Sequence, residues 1–428
     1  MKITVHRGTN QIGGCITEIE SDNYKVFIDF GEQLPGVEND KDQLIEINGL
    51  TCGDVSKSAL FITHYHGDHI GKICDTVNNL PIYAGKTAVE ICKCLEKRLS
   101  YIPIPEEAEK HKKILKRLNS INSFKPLQRI KIGKITITPL FIDHSAFDAY
   151  MFIIEADNKR VLNTGDFRGH GFKSKVLVPM LEKYAKHIDY IITEGSNIER
   201  PDAVLQTEQE LQKDFEKQFT EYKYNFIIVS STNVDRLFAL YHATKKAKRC
   251  FVCDNYQTKI LKIVSESNKQ HTGFYDIDYE QRSNVAGRFI ELKRMRNKPY
   301  EFVGKLKPYL SEHGFCMLVR PNDSFKPLLE EYSKLSETKI YYSMFKGYID
   351  ESSTAHNPSF ISFIEPFKYE YKHTSGHADI QTLRTLFETV KPKCGIIPIH
   401  TEAPEKFKEL FIGYNIILLK DGYIYDCI

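Results

Sequence analysis

The sequence contains no long hydrophobic run. Its longest apolar stretches, such as residues 226–229 and 416–419, have the length of a strand, whereas a membrane-spanning helix needs about 18 apolar residues or more. The amino-terminal segment MKITVHRGTNQIGG also lacks the apolar core of a signal peptide. We therefore expect a cytoplasmic protein that has no contact with a membrane.

A strong net charge is missing as well. The 59 Lys and Arg residues nearly balance the 56 Asp and Glu residues, which leaves a formal charge of +3. This excess is too small to indicate a nucleic-acid binder by bulk charge, although it leaves room for a local basic groove. With 41% hydrophobic and 27% charged residues, the composition is that of a globular protein and excludes a disordered or fibrous chain.

The ten cysteines do not form a zinc-knuckle pattern. Cys250 and Cys253 make one C-x-x-C pair, but no second pair or flanking histidine accompanies it. In a large chain without a secretion signal, we expect these thiols to be reduced and structural.

The pattern of predicted secondary structure changes near residue 196. Up to that point, β-branched and aromatic strands joined by tight turns predominate. Beyond it, a predicted helix over 204–222, a strand over 226–231 and a helix over 234–249 begin an alternation that is typical of a parallel α/β sheet. No low-complexity linker separates the two parts, so we expect an inserted domain with short connections. The length of 428 residues agrees with two to three domains.

A cluster of metal-ligand residues follows the apolar strand near residue 61. The segment FITHYHGDHIG contains His64, His66, Asp68 and His69. Alternate residues at a strand end point to the same side, so His64 and His66 can share one metal ion. Asp68 and His69 lie on the next turn, where they can face a second site. Imidazole and carboxylate ligands suit zinc, and manganese is a further possibility.

Three further candidate ligands follow apolar strands downstream. FIDHS supplies His144, NTGDFR supplies Asp166 and GIIPIHTE supplies His400. Each alone is a weak signal, because an Asp in such a turn is more often a turn former. Together they complete a site for two metals, in which a carboxylate such as Asp166 can bridge the ions.

These motifs resemble the metallo-β-lactamase superfamily. HYHGDH, TGDFR and a late strand that ends in His carry the resemblance, while TEGS (193–196), TSGHAD (374–379) and PIHTE (398–402) are similar to the additional motifs of its β-CASP nucleases. The greatest similarity is to bacterial ribonuclease J and covers nearly the whole chain. The chain ends shortly after His400, so we expect the extra C-terminal domain of that family to be missing.

The resemblance implies a fold and a domain organisation. We expect an αββα metallo-β-lactamase sandwich into which a parallel α/β β-CASP domain is inserted. The predicted boundaries are 1–196 for the first part of the metallo-β-lactamase domain, 197–372 for the β-CASP domain and 373–428 for the remainder.

The resemblance also implies roles for single residues. His64, His66 and His144 would hold one zinc ion, Asp68, His69 and His400 the other, and Asp166 would bridge them. Mn²⁺ or Mg²⁺ could replace zinc. A hydroxide between the two ions would attack the phosphodiester and leave 5′-phosphate products, with Asp68, Glu194 and His377 as catalytic residues. Glu194 would support His377, which would protonate the leaving oxygen or hold the phosphate. Asp29 would orient the histidine loop.

Two segments resemble the parts of ribonuclease J that hold RNA phosphate. Ser231, Thr232 and Asn233 open a predicted helix, where backbone N–H groups can meet a 5′-phosphate. The second segment contains His373, Ser375 and Gly376. Simple helix capping is the alternative interpretation of both turns. Asp235 stands where the relatives usually have His.

The substrate and some alternative functions stay open at this stage. RNA-processing members of the family carry His at the position of His400, whereas the DNA branch carries Val, so we expect single-stranded RNA as the substrate and keep DNA as an alternative. The cleavage could be 5′→3′ exonucleolytic, endonucleolytic or both. The basic stretches 245–249 and 291–298 could track a phosphate backbone or be solvated helix faces. Tyr300 and the tyrosines of KIYYSMF (339–345) could stack on bases, although core packing is the simpler role.

A small-molecule metallohydrolase would explain the ligands but not the inserted domain. A non-catalytic RNA-binding scaffold disagrees with the intact ligand set. Both alternatives therefore explain less of the sequence than a ribonuclease does. The oligomeric state, monomer or homodimer, does not follow from the sequence.

Overall fold

A computed structural model of the chain describes residues 1–34, 45–200, 205–268, 273–278, 288–295 and 298–427. These residues form two compact units, one of Met1–Leu205 with Gly376–Ile428 and the other of Gln206–Ser375. The boundaries predicted from the sequence lie after residues 196 and 372. That the two units are the metallo-β-lactamase and β-CASP domains stays a prediction.

The strands, in chain order, are β1 (Lys2–Arg7), β2 (Ile16–Ser21), β3 (Tyr24–Ile28), β4 (Ser58–Phe61), β5 (Ile82–Gly85), β6 (Asn122–Phe124), β7 (Ile130–Ile132), β8 (Ile135–Phe141), β9 (Tyr150–Ala156), β10 (Lys159–Asn163), β11 (Tyr190–Glu194), β12 (Tyr224–Ile228), β13 (Cys250–Asp254), β14 (Phe289–Leu292), β15 (Phe315–Val319), β16 (Thr338–Tyr342), β17 (Glu370–Tyr371), β18 (Gly395–Ile399) and β19 (Ile424–Asp426).

The helices are α1 (Gly67–Ile70), α2 (Lys86–Leu99), α3 (Pro105–Leu118), α4 (Leu177–Tyr184), α5 (Glu208–Glu221), α6 (Val234–Lys246), α7 (Asn255–Asn268), α8 (Leu306–His313), α9 (Lys326–Tyr332), α10 (Pro358–Ile364), α11 (Ile380–Val390) and α12 (Lys406–Leu410). Each helix within the described ranges is too short or too polar to cross a membrane.

The first unit contains two sheets that pack face to face. One has the strand order β19-β1-β2-β3-β4-β5-β6 and the other β18-β11-β10-β9-β8-β7. Strand β9 shows how the layers form, because its side chains alternate between two cores. Phe152 and Ile154 belong to the core between the sheets, whereas Met151 and Ile153 face the core under α4 and α11. A strand buried on both faces needs a continuous apolar run, and YMFIIEA supplies it.

Helices cover the outer faces of both sheets. Helix α2 packs on β5 and β6 of the first sheet and pairs with α3, while α4 and α11 pack together over the second sheet. The layers therefore form an αββα sandwich. This arrangement confirms the fold class predicted for this part of the chain.

The second unit is a parallel α/β sheet. Its strand order is β14-β13-β15-β12-β16-β17, and every pair of neighbouring strands is parallel. The carboxyl ends of all six strands therefore lie at one edge. Helix α5 begins at Glu208 rather than near residue 204 as predicted, because Thr207 and Glu210 form a capping box there.

Several side chains whose role the sequence leaves undecided lie in the core of the second unit. Tyr341 and Tyr342 are fully buried and Tyr300 is nearly so, so these three rings pack in the interior rather than stack on bases. Cys250 and Cys253 are buried free thiols on β13. Lys245, Lys246 and Lys248 are exposed, which both interpretations of that basic stretch allow. The second basic stretch includes residues 296–297, which lie outside the described residues.

Candidate metal centre

Residues 63–69, which we call the histidine loop, follow β4 and run into α1, and the carboxylate of Asp29 holds them in place. Its Oδ1 accepts a hydrogen bond from the backbone N–H of Thr63 at 2.7 Å, and its Oδ2 accepts one from the Thr63 hydroxyl at 2.8 Å. The same Oδ2 lies 2.8 Å from Nδ1 of His69. Asp29 has a left-handed backbone with φ of 60°, a conformation that costs a non-glycine residue energy and is enriched at functional sites. Asp29 thus positions both ends of the loop.

The first group of candidate ligands consists of three imidazoles. Nδ1 of His66 lies 3.0 Å from Nε2 of His64 and 3.3 Å from Nε2 of His144. One nitrogen of each ring lies within 4.8 Å of the others. Burial is the largest cause of the lowered pKa of each ring and brings that of His66 to about 4. The three rings are therefore neutral at pH 7 and can offer lone pairs to a cation.

The second group adds carboxylates. Asp68, His69, Asp166 and His400 bring one ligand atom each within 4.8 Å of the others. Oδ2 of Asp166 lies 3.1 Å from Nε2 of His69 and 3.7 Å from Nε2 of His400. It also lies 3.9 Å from Nε2 of His64, in the first group. Asp166 is therefore placed between the two groups, as a bridging ligand must be.

The charges of the second group lower the pKa of its carboxylates. Burial would raise the pKa of Asp166, but His400 and His69 hold it well below its usual value. Burial would lower the pKa of His69, but Asp166 and Asp68 hold it well above its usual value. Asp68 also has a lowered pKa, because His69 and His400 outweigh its burial. These buried negative charges are the kind of environment that a divalent cation stabilises.

Sheet topology places the ligands that are distant in sequence. Strands β10, β11 and β18 are parallel neighbours, so their carboxyl ends bring Asp166, Glu194 and His400 to one edge. The turn before Asp166 needs Gly165, since its φ is 51° and an added Cβ would lie 2.8 Å from the Thr63 side chain. His400 also has a positive φ, of 52°.

The donor set fits divalent metal ions. The first group offers imidazole nitrogens, and the second mixes two imidazoles with two carboxylates. Zinc accepts nitrogen and carboxylate ligands in such sites, and manganese accepts the same donors. Oriented imidazoles strengthen the fit: Nδ1 of His144 lies 2.7 Å from the carbonyl oxygen of Gly376, which leaves Nε2 for the group.

A pair of His377 and Glu194 lies beside Asp166. Nδ1 of His377 is 2.9 Å from Oε2 of Glu194 and 3.6 Å from Oδ2 of Asp166. Glu194 is buried and also accepts hydrogen bonds from the backbone N–H groups of Phe167 and Ala378. Burial would lower the pKa of His377, but the two carboxylates raise it to about 9. Nδ1 of His377 thus lies between two carboxylate groups.

The residues predicted to hold phosphate are divided between the units. Gly376 belongs to the first unit, where an added Cβ would lie 2.7 Å from Oγ of Ser145. The others belong to the second unit: Ser231, Thr232, Asn233, His373 and Ser375. The carbonyl of the Asn233 side chain accepts a hydrogen bond from the backbone N–H of Arg236, which is the helix cap considered as the alternative. At the second predicted phosphate-binding turn, which contains His373, Ser375 and Gly376, the following helix α11 is capped by Asp379.

Three side chains that are not among the predicted site residues also contact the centre, and a fourth lies beside it. The hydroxyl of Thr63 lies 3.0 Å from Nδ1 of His64, and that of Ser196 lies 2.9 Å from Nδ1 of His400. The Asn197 amide donates to the carbonyl oxygens of His377 and Ala378. Thr63 and Ser196 lie in or next to the sequence motifs described above. A hydroxyl group near a predicted site residue was therefore the sequence feature that could have identified them. Cys15 lines the cavity beside Asp166 and His400, and nothing in its sequence context indicated that place.

Comparisons with known proteins agree with this geometry. A family model described as a Zn-dependent metallo-hydrolase RNA specificity domain matches residues 367–418. Ribonuclease J of Mycoplasma genitalium is 23% identical over 427 residues, which cover 94% of this chain and 68% of that protein. Ribonuclease J of Helicobacter pylori is 23% identical over 464 residues, which cover 99% of this chain and 60% of that protein.

A solved structure extends the likeness to the whole fold. A protein of unknown function from Enterococcus faecalis V583 superposes with a TM-score of 0.72 at 19% sequence identity, over 99% of both chains. The chain spans about two thirds of the length of the ribonuclease J relatives. Together the matches confirm the resemblance predicted from the motifs: the chain is similar to ribonuclease J over most of its length and to the RNA specificity domain of Zn-dependent metallo-hydrolases over residues 367–418.

Proposed function

We propose that this protein is a metal-dependent ribonuclease that hydrolyses phosphodiester bonds in RNA. The observation that carries the proposal is the position of Asp166, which lies within 4 Å of ligand atoms of both groups and of Nδ1 of His377. A site for two cations that share a carboxylate is suited to in-line displacement at phosphorus. The match of residues 367–418 to an RNA specificity domain supports RNA as the substrate.

The ligand residues divide between two cations in this proposal. His64, His66 and His144 would hold one ion, Asp68, His69 and His400 would hold the other, and Asp166 would serve both. Two zinc ions suit these donors, and manganese or magnesium can substitute. When bound, such ions generate a nucleophile at neutral pH and neutralise charge on the scissile phosphate. Asp29 keeps His69 and the loop in the binding orientation through the contacts described above.

Departure of the 3′-oxygen needs a proton, and His377 supplies it. Glu194 accepts the Nδ1–H of His377, so the second proton of the imidazolium sits on Nε2 and can be donated there. A general acid of this kind contributes about 10²–10⁴-fold to a rate. The 5′-phosphate then stays on the downstream fragment. Cleavage is exonucleolytic in the 5′→3′ direction, endonucleolytic or both.

One cleavage assay tests the proposal. Metal-free protein receives zinc or manganese and meets a single-stranded RNA or its DNA counterpart, each with a 5′-monophosphate or a 5′-hydroxyl. We expect metal-dependent cleavage of RNA and loss of cleavage in His377→Ala. Faster degradation of the monophosphate form indicates a 5′ exonuclease, and equal rates for both ends indicate an endonuclease.

Two controls separate the alternatives. Tyr423→Ala changes an exposed side chain outside the centre and should cleave like the native protein. Asp68→Ala should lose both metal and activity. Cleavage of DNA alone contradicts the choice of RNA. Absence of all cleavage by metal-loaded protein contradicts the nuclease proposal and favours a small-molecule hydrolase or a scaffold.

A further inference from the structure

A third group of candidate metal ligands lies beside the first two groups. Asp166, Glu194, His377 and His400 bring one ligand atom each within 4.8 Å of one another, which is the spacing that the first two groups also have. All four residues belong to the first unit. Glu194 and His377 are not members of the first two groups, and in the proposed reaction they only hold and donate a proton. Their place in a ligand group therefore needs a separate explanation.

The separations between ligand atoms in this third group suit a zinc ion. Nδ1 of His377 lies 2.9 Å from Oε2 of Glu194 and 3.6 Å from Oδ2 of Asp166. Nε2 of His400 lies 3.7 Å from the same Oδ2. Nitrogen and oxygen ligands held at about 2.0–2.1 Å around a tetrahedral ion lie roughly 3.4 Å from one another. The three distances lie on both sides of that value, so small side-chain shifts are enough to enclose an ion.

Glu194 is already held in the orientation that a metal ligand needs. Its side chain is buried, and its Oε1 accepts hydrogen bonds from the backbone N–H groups of Phe167 and Ala378. The other oxygen, Oε2, lies toward His377. Carboxylates that bind metals are typically fixed by such hydrogen bonds. Glu194 therefore loses little conformational freedom when it binds a cation.

The third group shares two ligands, Asp166 and His400, with the second group. Nδ1 of His400 lies 2.9 Å from Oγ of Ser196, so Nε2 is the nitrogen that can bind a metal, and it can bind only one ion. When the second group is filled, the third group therefore offers Glu194, His377 and the shared carboxylate of Asp166. The smaller number of ligands and the repulsion between neighbouring cations make this position weaker than the first two.

We propose that Glu194 and His377 also bind a third, weaker zinc ion, and that excess zinc thereby inhibits RNA cleavage. The inhibition rests on the proposed function, since it requires His377 to be the acid of that reaction. Zinc takes the lone pair of Nδ1, so the proton that His377 donates to Glu194 is released to solvent. The ring is then a neutral imidazole, which is a poor acid for the departing 3′-oxygen. The same pair of side chains thus changes from a proton donor to a metal site as the free zinc concentration rises.

The test counts the zinc ions bound to the full chain, by equilibrium dialysis against chelator-buffered zinc and elemental analysis. We expect the native chain to hold two ions at low free zinc and a third ion at higher free zinc. Glu194→Gln and His377→Ala should keep the first two ions and fail to bind the third over the same range. Glu106→Gln, which changes an exposed carboxylate on α3, is the matched control and should bind three ions. Thermal unfolding of each variant verifies that it is folded.

Single-turnover cleavage of RNA at the same free zinc concentrations gives a second readout. The rate of the native chain should fall as the third ion binds, by up to the factor of about 10²–10⁴ that a general acid contributes. Glu106→Gln should be inhibited like the native chain. The residual rate of Glu194→Gln should not fall over this range, because that variant has lost both the third position and the acid.

Three results of the ion count overturn the inference. If the native chain binds two ions at every zinc concentration and its cleavage of RNA is undiminished, the pair binds no zinc, although the proposed function stands. If Glu194→Gln binds the third ion like the native chain, that ion lies elsewhere. If Glu194→Gln loses one of the first two ions, Glu194 is a ligand of the two-metal centre instead. A native chain that binds three ions but cleaves no RNA at any zinc concentration overturns the proposed function and the inhibition, whereas the loss of the third ion in Glu194→Gln still supports the metal position.

Discussion

Replacing Glu194 by Gln tests whether His377 acts as an acid. The substitution keeps the size of the side chain and its carbonyl oxygen, which can still accept the N–H groups of Phe167 and Ala378. It removes the charge next to Nδ1 of His377 and can place an amide N–H there. An N–H facing Nδ1 favours the tautomer in which that nitrogen carries no proton. The ring then stays neutral, and a neutral imidazole is a poor acid.

The loss of rate in Glu194→Gln cannot exceed the contribution that a general acid makes to the rate. That contribution is about 10²–10⁴-fold, or roughly 3–5 kcal/mol of transition-state free energy. We expect Glu194→Gln to lower kcat for RNA by about 100-fold or more, and by no more than His377→Ala. Because both substitutions remove the same proton donor, the double variant should be no slower than His377→Ala alone.

A substrate that needs no acid provides the control. A nitrophenyl phosphodiester releases a phenolate that departs without protonation, so its metal-dependent hydrolysis should change only a few-fold in Glu194→Gln. Stopped-flow or gel assays of single turnovers on the two substrates give the comparison. Equal losses on both substrates would refute the reasoning, since Glu194 would then serve the metal centre or the fold. Additive losses in the double variant would refute it too.

Three further predictions concern the centre, the second unit and the effect of pH. Asp166→Ala should lower the metal content of the protein from two ions to one or none, as measured by elemental analysis; two retained ions would contradict the bridging role. Arg236→Met should destabilise the fold by about 3–5 kcal/mol in urea unfolding, because it leaves the fully buried Glu208 without its two 2.9 Å ion-pair contacts; a loss below 1 kcal/mol would contradict this. Burial would raise the pKa of Glu18, but hydrogen bonds from His6 and Lys25 lower it. The ionised Glu18 side chain therefore stabilises the fold above its unfolded pKa near 4.5, and this stabilisation is lost as the pH falls below that value. Glu18→Gln should therefore lose less stability than the native chain between pH 5 and 3; equal losses would contradict the assignment.

The sequence was informative where the chemistry is local. His64, His66, Asp68 and His69 lie close together in the chain, so their spacing predicts two neighbouring sites. Asp166 and His400 were found because each follows an apolar strand, and parallel strands end at one edge. The contacts of Ser196 with His400 and of Asn197 with the turn at His377 join residues about 200 positions apart, and no local pattern encodes such pairs.

Exposure was the property that local patterns predicted least well. In KIYYSMF, Tyr341 and Tyr342 are buried and Phe345 is exposed, although all three belong to one apolar stretch. Which ring faces solvent depends on the neighbouring strand and on where β16 ends. The pairing of the final strand is another example: β19 pairs with β1 rather than with a strand close to it in sequence. The pairing of strands from the two ends of the chain cannot be predicted from a short stretch of sequence, because it requires closing a loop that contains nearly the whole chain.

A titration of RNA cleavage with metal tests the central claim most directly. Metal-free protein receives increasing equivalents of zinc, and the single-turnover rate on single-stranded RNA is measured at each step. The account predicts no cleavage without metal and a rate that reaches its plateau at two equivalents per chain. Cleavage by the metal-free protein, a plateau at one equivalent or an inactive protein that has bound two ions would contradict it.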